Sequence, residues 1–166
     1  TFLNARETND FWYTAVLPVT KRESVQGKCL LTVFFQVFQL LFSVPFAVLR
    51  NLLNVANNPV GLDATIAWYG FGLMVYAVFD VVFFTTFYKS GYRVGKAFIL
   101  AALPMAILMA AAESTAHIPT LAWMDSSQSE CLLMQLPILL LGITCYGVLV
   151  PIAYRISAKR FEAVDL

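Results

Sequence analysis

The chain has 166 residues, 60% of them hydrophobic and 13% charged, and its formal net charge is +1. So small a net charge argues against a nucleic-acid-binding protein, which needs a large basic face. A mean hydropathy of +0.73 instead indicates a protein that spans a membrane.

The first predicted membrane span is the uncharged run from Cys29 to Leu49, which contains 21 residues. An α-helix rises about 1.5 Å per residue, so roughly 20 residues cross a hydrocarbon layer of about 30 Å. Buried helices of soluble proteins rarely stay uncharged for so long. A charged cluster precedes the run: Lys21, Arg22, Glu23 and Lys28.

Three further apolar segments follow, at residues 66–88, 97–112 and 132–154. The third is short for a span, although Val94 and Gly95 could extend it at one end and Glu113 at the other. We therefore predict an all-α, polytopic helical bundle with four spans, forming a single domain over residues 1–166. Residues 1–28 are predicted to be a cytoplasmic loop, and residues 155–166 a cytoplasmic tail.

Basic residues alternate along the chain as four spans require. They cluster before the first span, between the second and third, and after the fourth, whereas the other two connections contain Arg50 alone. Lys and Arg in short loops favour the cytoplasmic side. Both ends of this chain are therefore predicted to be cytoplasmic. The clustered bases are Lys21, Arg22, Lys28, Lys89, Arg93, Lys96, Arg155, Lys159 and Arg160.

Asp80 is the clearest ionisable residue inside a predicted span. Burial of a carboxylate in a membrane costs about 2.5 to 3.5 kcal/mol on insertion scales, so the residue needs a reason to be there. It could be a proton or cation site. It could equally be a structural hydrogen-bond partner of polar groups on other spans, with Gln36, Gln39 and Thr144 as candidates.

The connection before the last span is acidic, and it contains Glu113, His117 and Asp125. Glu113 and His117 are four residues apart and would share one face of a continuing helix. This spacing permits metal binding or acid–base chemistry, but a polar cluster at a helix end explains it as well. The segment itself suits a short re-entrant or interfacial helix near Trp123, or a plain extracellular loop.

Catalytic and nucleotide-binding motifs are absent from the sequence, which contains no HExxH, GxSxG or GxxxxGK[ST] pattern. The three cysteines, Cys29, Cys131 and Cys145, show no metal-binding spacing. We therefore expect a protein that is not an enzyme, with no metal or cofactor of its own.

Two stretches resemble the ABC-2 type permeases of bacteria, which are the membrane subunits of ATP-binding-cassette exporters. The stretch "NDFWYTAVLPVTKRESVQGKCLL" is similar to the phrase that precedes a membrane span in that family, and "YRISAKRFEAVDL" resembles its basic carboxyl-terminal tail. The segment "AAESTAHIPTLAWMDS" lies where such permeases have a short outer helix.

The resemblance implies an exporter subunit in the cytoplasmic membrane of a bacterium. Such permeases have six spans, so the four found here would be the last four, with the amino-terminal part missing; the chain opens with Thr1 rather than Met. A separate ATPase subunit would bind ATP and magnesium, and the permease would act as a homodimer or heterodimer in contact with membrane lipid. The substrate could be a hydrophobic peptide, an antibiotic or another amphiphile.

The same resemblance implies that residues 17–28 couple the ATPase to the spans, with Lys21, Arg22, Glu23 and Lys28 as contacts. These charges could instead only orient the helix and touch anionic lipid. Two other functions stay open. One is a proton- or ion-coupled secondary transporter built around Asp80, and the other is an intramembrane enzyme that uses Glu113, His117 and Asp125.

Overall fold

A computed structural model describes residues 18–53, 58, 61–90 and 93–163 of the chain. These residues form four long α-helices: α1 (Lys21–Leu52), α2 (Ile66–Lys89), α3 (Val94–Ser114) and α4 (Ser129–Glu162). Two short 3-10 helices, Thr115–His117 and Pro119–Asp125, connect α3 to α4. Residues 9–17 and 164–166, which carry part of the family resemblance, lie outside the described residues.

The predicted all-α bundle is confirmed, because the described residues contain no strand and all four helices are long and apolar enough to cross a membrane. The third helix is longer than the predicted span. It begins at Val94 and includes Glu113, so its 21 residues meet the length that a span requires. The protein is therefore a multi-pass membrane protein.

Helices α1 and α4 are longer than a membrane is thick. They contain 32 and 34 residues, which corresponds to about 48 and 51 Å at the usual rise per residue. Most of the excess lies at the start of α1 and the end of α4. We expected residues 21–28 to belong to a loop and residues 155–162 to a tail. Both segments are helical. We call this side of the bundle the basic end and the opposite side the acidic end.

The early start of α1 has a local cause at Thr20. The Thr20 side chain accepts a hydrogen bond from the Glu23 backbone N–H at 3.2 Å, and the Glu23 carboxylate accepts one from the Thr20 backbone N–H at 2.7 Å. Two backbone donors that a helix start leaves without partners are satisfied in this way. The helix therefore begins eight residues before the apolar run.

Helix α2 lies at the centre of the bundle, packed against both α3 and α4. Its backbone meets that of α4 at Gly70 and Gly142. A Cβ atom built on Gly70 would lie 2.6 Å from the Ile138 carbonyl oxygen. Small residues allow helix backbones to approach this closely inside membranes, where helix association depends on close packing.

Helix α1 is the most exposed of the four. Val25 and Cys29, both near the basic end, are its buried residues. Four phenylalanines spaced one turn apart form an exposed row, with neighbouring ring centroids 5.4 to 6.0 Å apart. The row consists of Phe34, Phe38, Phe42 and Phe46. Lipid or another helix must cover such a surface, because water would leave this apolar area unfavourably hydrated.

Candidate functional site

The predicted coupling residues lie on the first turns of α1, where they meet the end of α4. Arg22 Nε lies 2.6 Å from Glu162 Oε1, and Arg22 Nη2 donates a second hydrogen bond to Glu162 Oε2 at 3.4 Å. The two side chains are 59% and 43% exposed. An ion pair in such a wet environment contributes at most about 1 kcal/mol to stability.

Apolar packing lies directly beneath this ion pair. Val25 of α1 is fully buried and Phe161 of α4 is 2% exposed. Phe161 packs against Tyr88 of α2 with a centroid separation of 5.5 Å. The Lys21 ammonium lies 5.8 Å from the centre of the Phe161 ring, within range of a cation–π attraction. We call Arg22, Val25, Phe161 and Glu162 the α1–α4 junction.

The other two predicted coupling residues are Glu23, at the cap of α1, and Lys28. Glu23 accepts hydrogen bonds from the backbone N–H and the hydroxyl of Thr20, which hold the pKa of its carboxyl below the ordinary value. Lys28 lies on the second turn, and its carbonyl accepts a hydrogen bond from the Thr32 hydroxyl. Arg160 of α4 reaches the Thr85 carbonyl, so α2 is joined to the same end of the bundle.

Sequence reasoning selected the α1 half of the junction and missed its α4 half. Glu162 and Phe161 were visible only as part of a basic tail. The available signal was the length of apolar and helix-forming sequence that continues from residue 154 to residue 162. A straight continuation of α4 brings its end to the same level as the start of α1, because antiparallel helices of similar length end together. Whether the two helices are neighbours does not follow from length.

A second polar cluster lies inside the bundle around Asp80, whose side chain is fully buried. Gln36 of α1 donates a hydrogen bond to Asp80 Oδ1 at 2.9 Å, and the Tyr146 hydroxyl of α4 donates to Gln36 Oε1 at 2.6 Å. We call these three residues the buried carboxyl cluster. It links α1, α2 and α4 at the level of the membrane interior.

Of the three partners that the sequence offered for Asp80, the structure pairs it with Gln36. Gln39 is exposed on the outer side of α1, and the Thr144 hydroxyl donates to the Leu140 carbonyl of its own helix. The second oxygen of Asp80, Oδ2, is buried and has no hydrogen-bond partner among the residues that the structure describes. The cluster is therefore incomplete, because buried polar atoms are normally paired.

Beside this cluster, α1, α2 and α4 enclose an apolar groove of about 650 Å³. Tyr146 belongs to both, because it lines the groove and also bonds to Gln36. The groove is walled mostly by aliphatic side chains, together with Tyr69 and Tyr146. Its lining consists of Val37, Leu40, Leu41, Val44, Ile66, Tyr69, Leu73, Leu139, Ile143, Tyr146 and Gly147.

The acidic residues before the last span bind the backbone of the segment that leads into α2. Glu113 accepts a hydrogen bond from the Leu62 N–H at 2.7 Å, and Asp125 accepts one from the Asp63 N–H at 2.5 Å. The Asp63 carboxylate in turn pairs with Arg50. We call these five residues, Arg50, Leu62, Asp63, Glu113 and Asp125, the acidic-end clasp. A Cβ atom built on Gly61 would collide with the Glu113 carboxylate, so the close approach requires glycine there.

His117 does not share a helical face with Glu113, because α3 ends at Ser114 and His117 closes a separate 3-10 helix. Within the described ranges, no three residues among His, Cys, Asp and Glu are grouped so that they could hold a metal ion. In this structure, the carboxylates of Glu113 and Asp125 accept hydrogen bonds from backbone N–H groups.

Gln135 completes the acidic end, and sequence reasoning did not select it. Its side chain is fully buried on α4. It accepts a hydrogen bond from the Ala67 N–H at 3.2 Å, and its amide donates to the carbonyls of Trp123 and Ser126 at 2.8 and 3.0 Å. One side chain thus ties together α4, the start of α2 and the short-helix connection. A lone glutamine near the start of an apolar run was the only signal.

Comparison with protein-family models gives one match that covers most of the chain. The model of a family described as "ABC-2 family transporter protein" matches residues 7–162. Comparisons with curated proteins and with solved structures give no match.

Proposed function

The chain belongs to the ABC-2 transporter family, and from this premise we propose that it is the membrane subunit of an exporter. Members of this family are transport components that work with an ABC ATPase. The observation that carries the proposal is the family match over residues 7–162, because that range contains all four apolar helices. Energy would come from the hydrolysis of ATP, which the separate ATPase chain would bind together with magnesium.

The proposal includes an orientation in the cytoplasmic membrane of a bacterium. Clustered Lys and Arg mark the basic end, and such clusters favour the cytoplasmic side. The start of α1 and the end of α4 would then project towards the ATPase by about two turns each. The acidic-end clasp would close the bundle at the outer side.

The α1–α4 junction is the surface that we assign to the ATPase. Arg22, Glu162 and Lys21 are grouped on two helices there, so a protein that docks on them touches both the first and the last helix. A partner that binds one arrangement of these helices more tightly than another shifts the bundle towards that arrangement. ATP binding in the partner would thereby change the spans without any chemistry in this chain.

Family membership does not identify the substrate. The candidates are a hydrophobic peptide, an antibiotic or another amphiphile. The apolar groove between α1, α2 and α4 supports an apolar substrate, since its wall carries almost no polar surface. Substrate would pass along the interface between two permease subunits, as a homodimer or a heterodimer.

The test of this proposal is purification of the full-length protein in mild detergent, followed by identification of its partner chains. We expect an ABC ATPase in stoichiometric amount. The Arg22→Glu variant should bind the ATPase more weakly or uncouple ATP hydrolysis from substrate, because it reverses a charge on the docking surface. A protein that purifies without any ATPase contradicts the exporter proposal.

A matched variant separates two roles of Arg22. The double substitution Arg22→Glu with Glu162→Arg restores the ion pair inside the chain but leaves both charges in exchanged positions. If Arg22 itself contacts the ATPase, the double variant should stay uncoupled. If Arg22 only holds α1 against α4, the double variant should recover the wild-type ATPase rate.

A secondary transporter driven by protons or ions is the second candidate, and the unpaired Oδ2 atom of Asp80 is the observation that favours it. That function requires transport that follows a proton gradient in the absence of any ATPase. It also requires that the neutral variant Asp80→Asn stop transport while the protein still folds. Transport that continues in this variant would exclude the candidate.

A further inference from the structure

We propose that the apolar groove and the buried carboxyl cluster together form a binding site for amphiphiles that carry a protonated amine. The inference deepens the proposed function, on which it rests, because it names the substrate class that the exporter would move. It is carried by two separate features of the structure: the apolar groove, and the incomplete hydrogen bonding of Asp80.

The groove supplies the place for the apolar part of the ligand. Its volume of about 650 Å³ falls within the roughly 300 to 1,000 Å³ that small-molecule sites have. It lies open between α1, α2 and α4 rather than being filled by their side chains. Gly147 illustrates this, because a Cβ atom built on it would have no atom of another described helix within 4 Å.

Asp80 supplies the charge. One carboxylate oxygen accepts a hydrogen bond from Gln36, and the other is buried without a partner in the described part of the chain. An ionised carboxylate inside a membrane is costly unless a cation or several donors compensate it. A protonated amine offers both a positive charge and N–H donors, so it fits the unpaired oxygen better than a neutral or an anionic group.

Tyr146 connects the two parts. Its hydroxyl donates to Gln36, which donates to Asp80, and its side chain also forms part of the groove wall. Neither Asp80 nor Gln36 lines the groove, so an amine that enters from it must first break the hydrogen bond between Tyr146 and Gln36 to reach the carboxylate.

The test measures saturable binding of radiolabelled dodecylamine and dodecanol to the full-length protein in phosphatidylcholine nanodiscs, with empty nanodiscs as background. The two probes share a tail and differ in charge at neutral pH. We expect the wild-type protein to bind the amine roughly ten- to a hundredfold more tightly, the range that a charge-assisted hydrogen bond gives. Equal affinities for the two probes would overturn the proposal without any variant.

Three variants assign the effect to its parts. Asp80→Asn should abolish the preference for the amine and leave dodecanol binding unchanged. Gly147→Leu should weaken both probes, since it places a side chain in the groove. Gln39→Leu, an exposed position one turn from Gln36, should change neither. An Asp80→Asn protein that folds and still prefers the amine also overturns the proposal.

The outcome is separable from the fate of the exporter proposal. If an ATPase copurifies but the amine preference is absent, the exporter stands and its substrate belongs to another class. If the amine preference is present but no ATPase accompanies the protein, the binding site stands and the exporter proposal fails.

Discussion

The two ends of the bundle are joined by different kinds of contact. At the acidic end, the side chains of Glu113, Asp125 and Gln135 bond to backbone groups of other elements at 2.5 to 3.2 Å. At the basic end, Phe161 packs against Tyr88 beneath a half-exposed ion pair. Directional bonds dominate in the first set. Packing that depends little on direction dominates in the second, where the Arg160 side chain also donates a hydrogen bond to the Thr85 carbonyl.

This difference bears on which end can rearrange. Breaking a buried hydrogen bond leaves a polar group without a partner and costs about 1 to 3 kcal/mol. Breaking an exposed ion pair costs at most about 1 kcal/mol, and apolar side chains can slide over one another while they stay buried. A rearrangement of contacts at the basic end therefore costs less free energy than one at the acidic end. We expect the acidic-end clasp to keep its contacts when the basic end moves.

The largest expected effect comes from Gln135→Leu, which removes the central polar group of the acidic end. The Ala67 N–H and the carbonyls of Trp123 and Ser126 lose their partner. We expect a loss of roughly 3 kcal/mol in the free energy of unfolding. Unfolding of the purified protein, followed by circular dichroism in detergent, measures the loss. Gln39→Leu is the control, since it also replaces a glutamine with leucine, but at an exposed position.

A smaller loss of stability is expected at the basic end from Phe161→Leu, which also introduces a leucine. Phe161→Leu keeps an apolar group in the cluster of Val25 and Tyr88, so the packing can adjust. Leucine is smaller than phenylalanine and loses the ring contact with Tyr88, so we expect a loss of about 1 to 2 kcal/mol. The same unfolding measurement applies. A loss as large as that of Gln135→Leu would show that packing holds the basic end as firmly as hydrogen bonds hold the acidic end.

The sequence predicts the helices because hydrophobic length is a one-dimensional property. The runs at 29–49, 66–88 and 132–154 each fall within a longer helix of the structure. Capping is local as well, and the Thr20–Glu23 pair extends α1 beyond its apolar run. What the sequence does not contain is which helix stands beside which, so the proximity of Arg22 to Glu162 could not be derived from it.

The polar residues also differ in how far the sequence alone could predict their importance. Asp80 was found because a charge inside an apolar run stands out, and Gln36 was one of three partners offered for it. Tyr146 was missed because a tyrosine in a span is common and carries no charge. Gln135 was missed because its importance depends on Ala67, Trp123 and Ser126, which are brought together only by the packing of α2 against α4.

The smallest expected effect concerns the cap at the start of α1. The backbone N–H and the hydroxyl of Thr20 donate to the Glu23 carboxylate and lower the pKa of Glu23 below its ordinary value of 4.5. A carboxyl whose pKa is lower in the folded state stabilises the fold above its unfolded pKa, and it loses that contribution as the pH falls through the folded pKa.

Melting temperatures of the wild-type protein and of Glu23→Gln, measured from pH 7 down to pH 3, test this cap. The wild type should melt higher at neutral pH, and the difference should shrink towards zero in acid, where Glu23 is protonated and resembles the neutral glutamine. Effects of acid on the rest of the molecule are common to both proteins, so the difference isolates the cap. A difference that stays constant with pH would mean that the shape of the Glu23 side chain, rather than its charge, stabilises the start of α1.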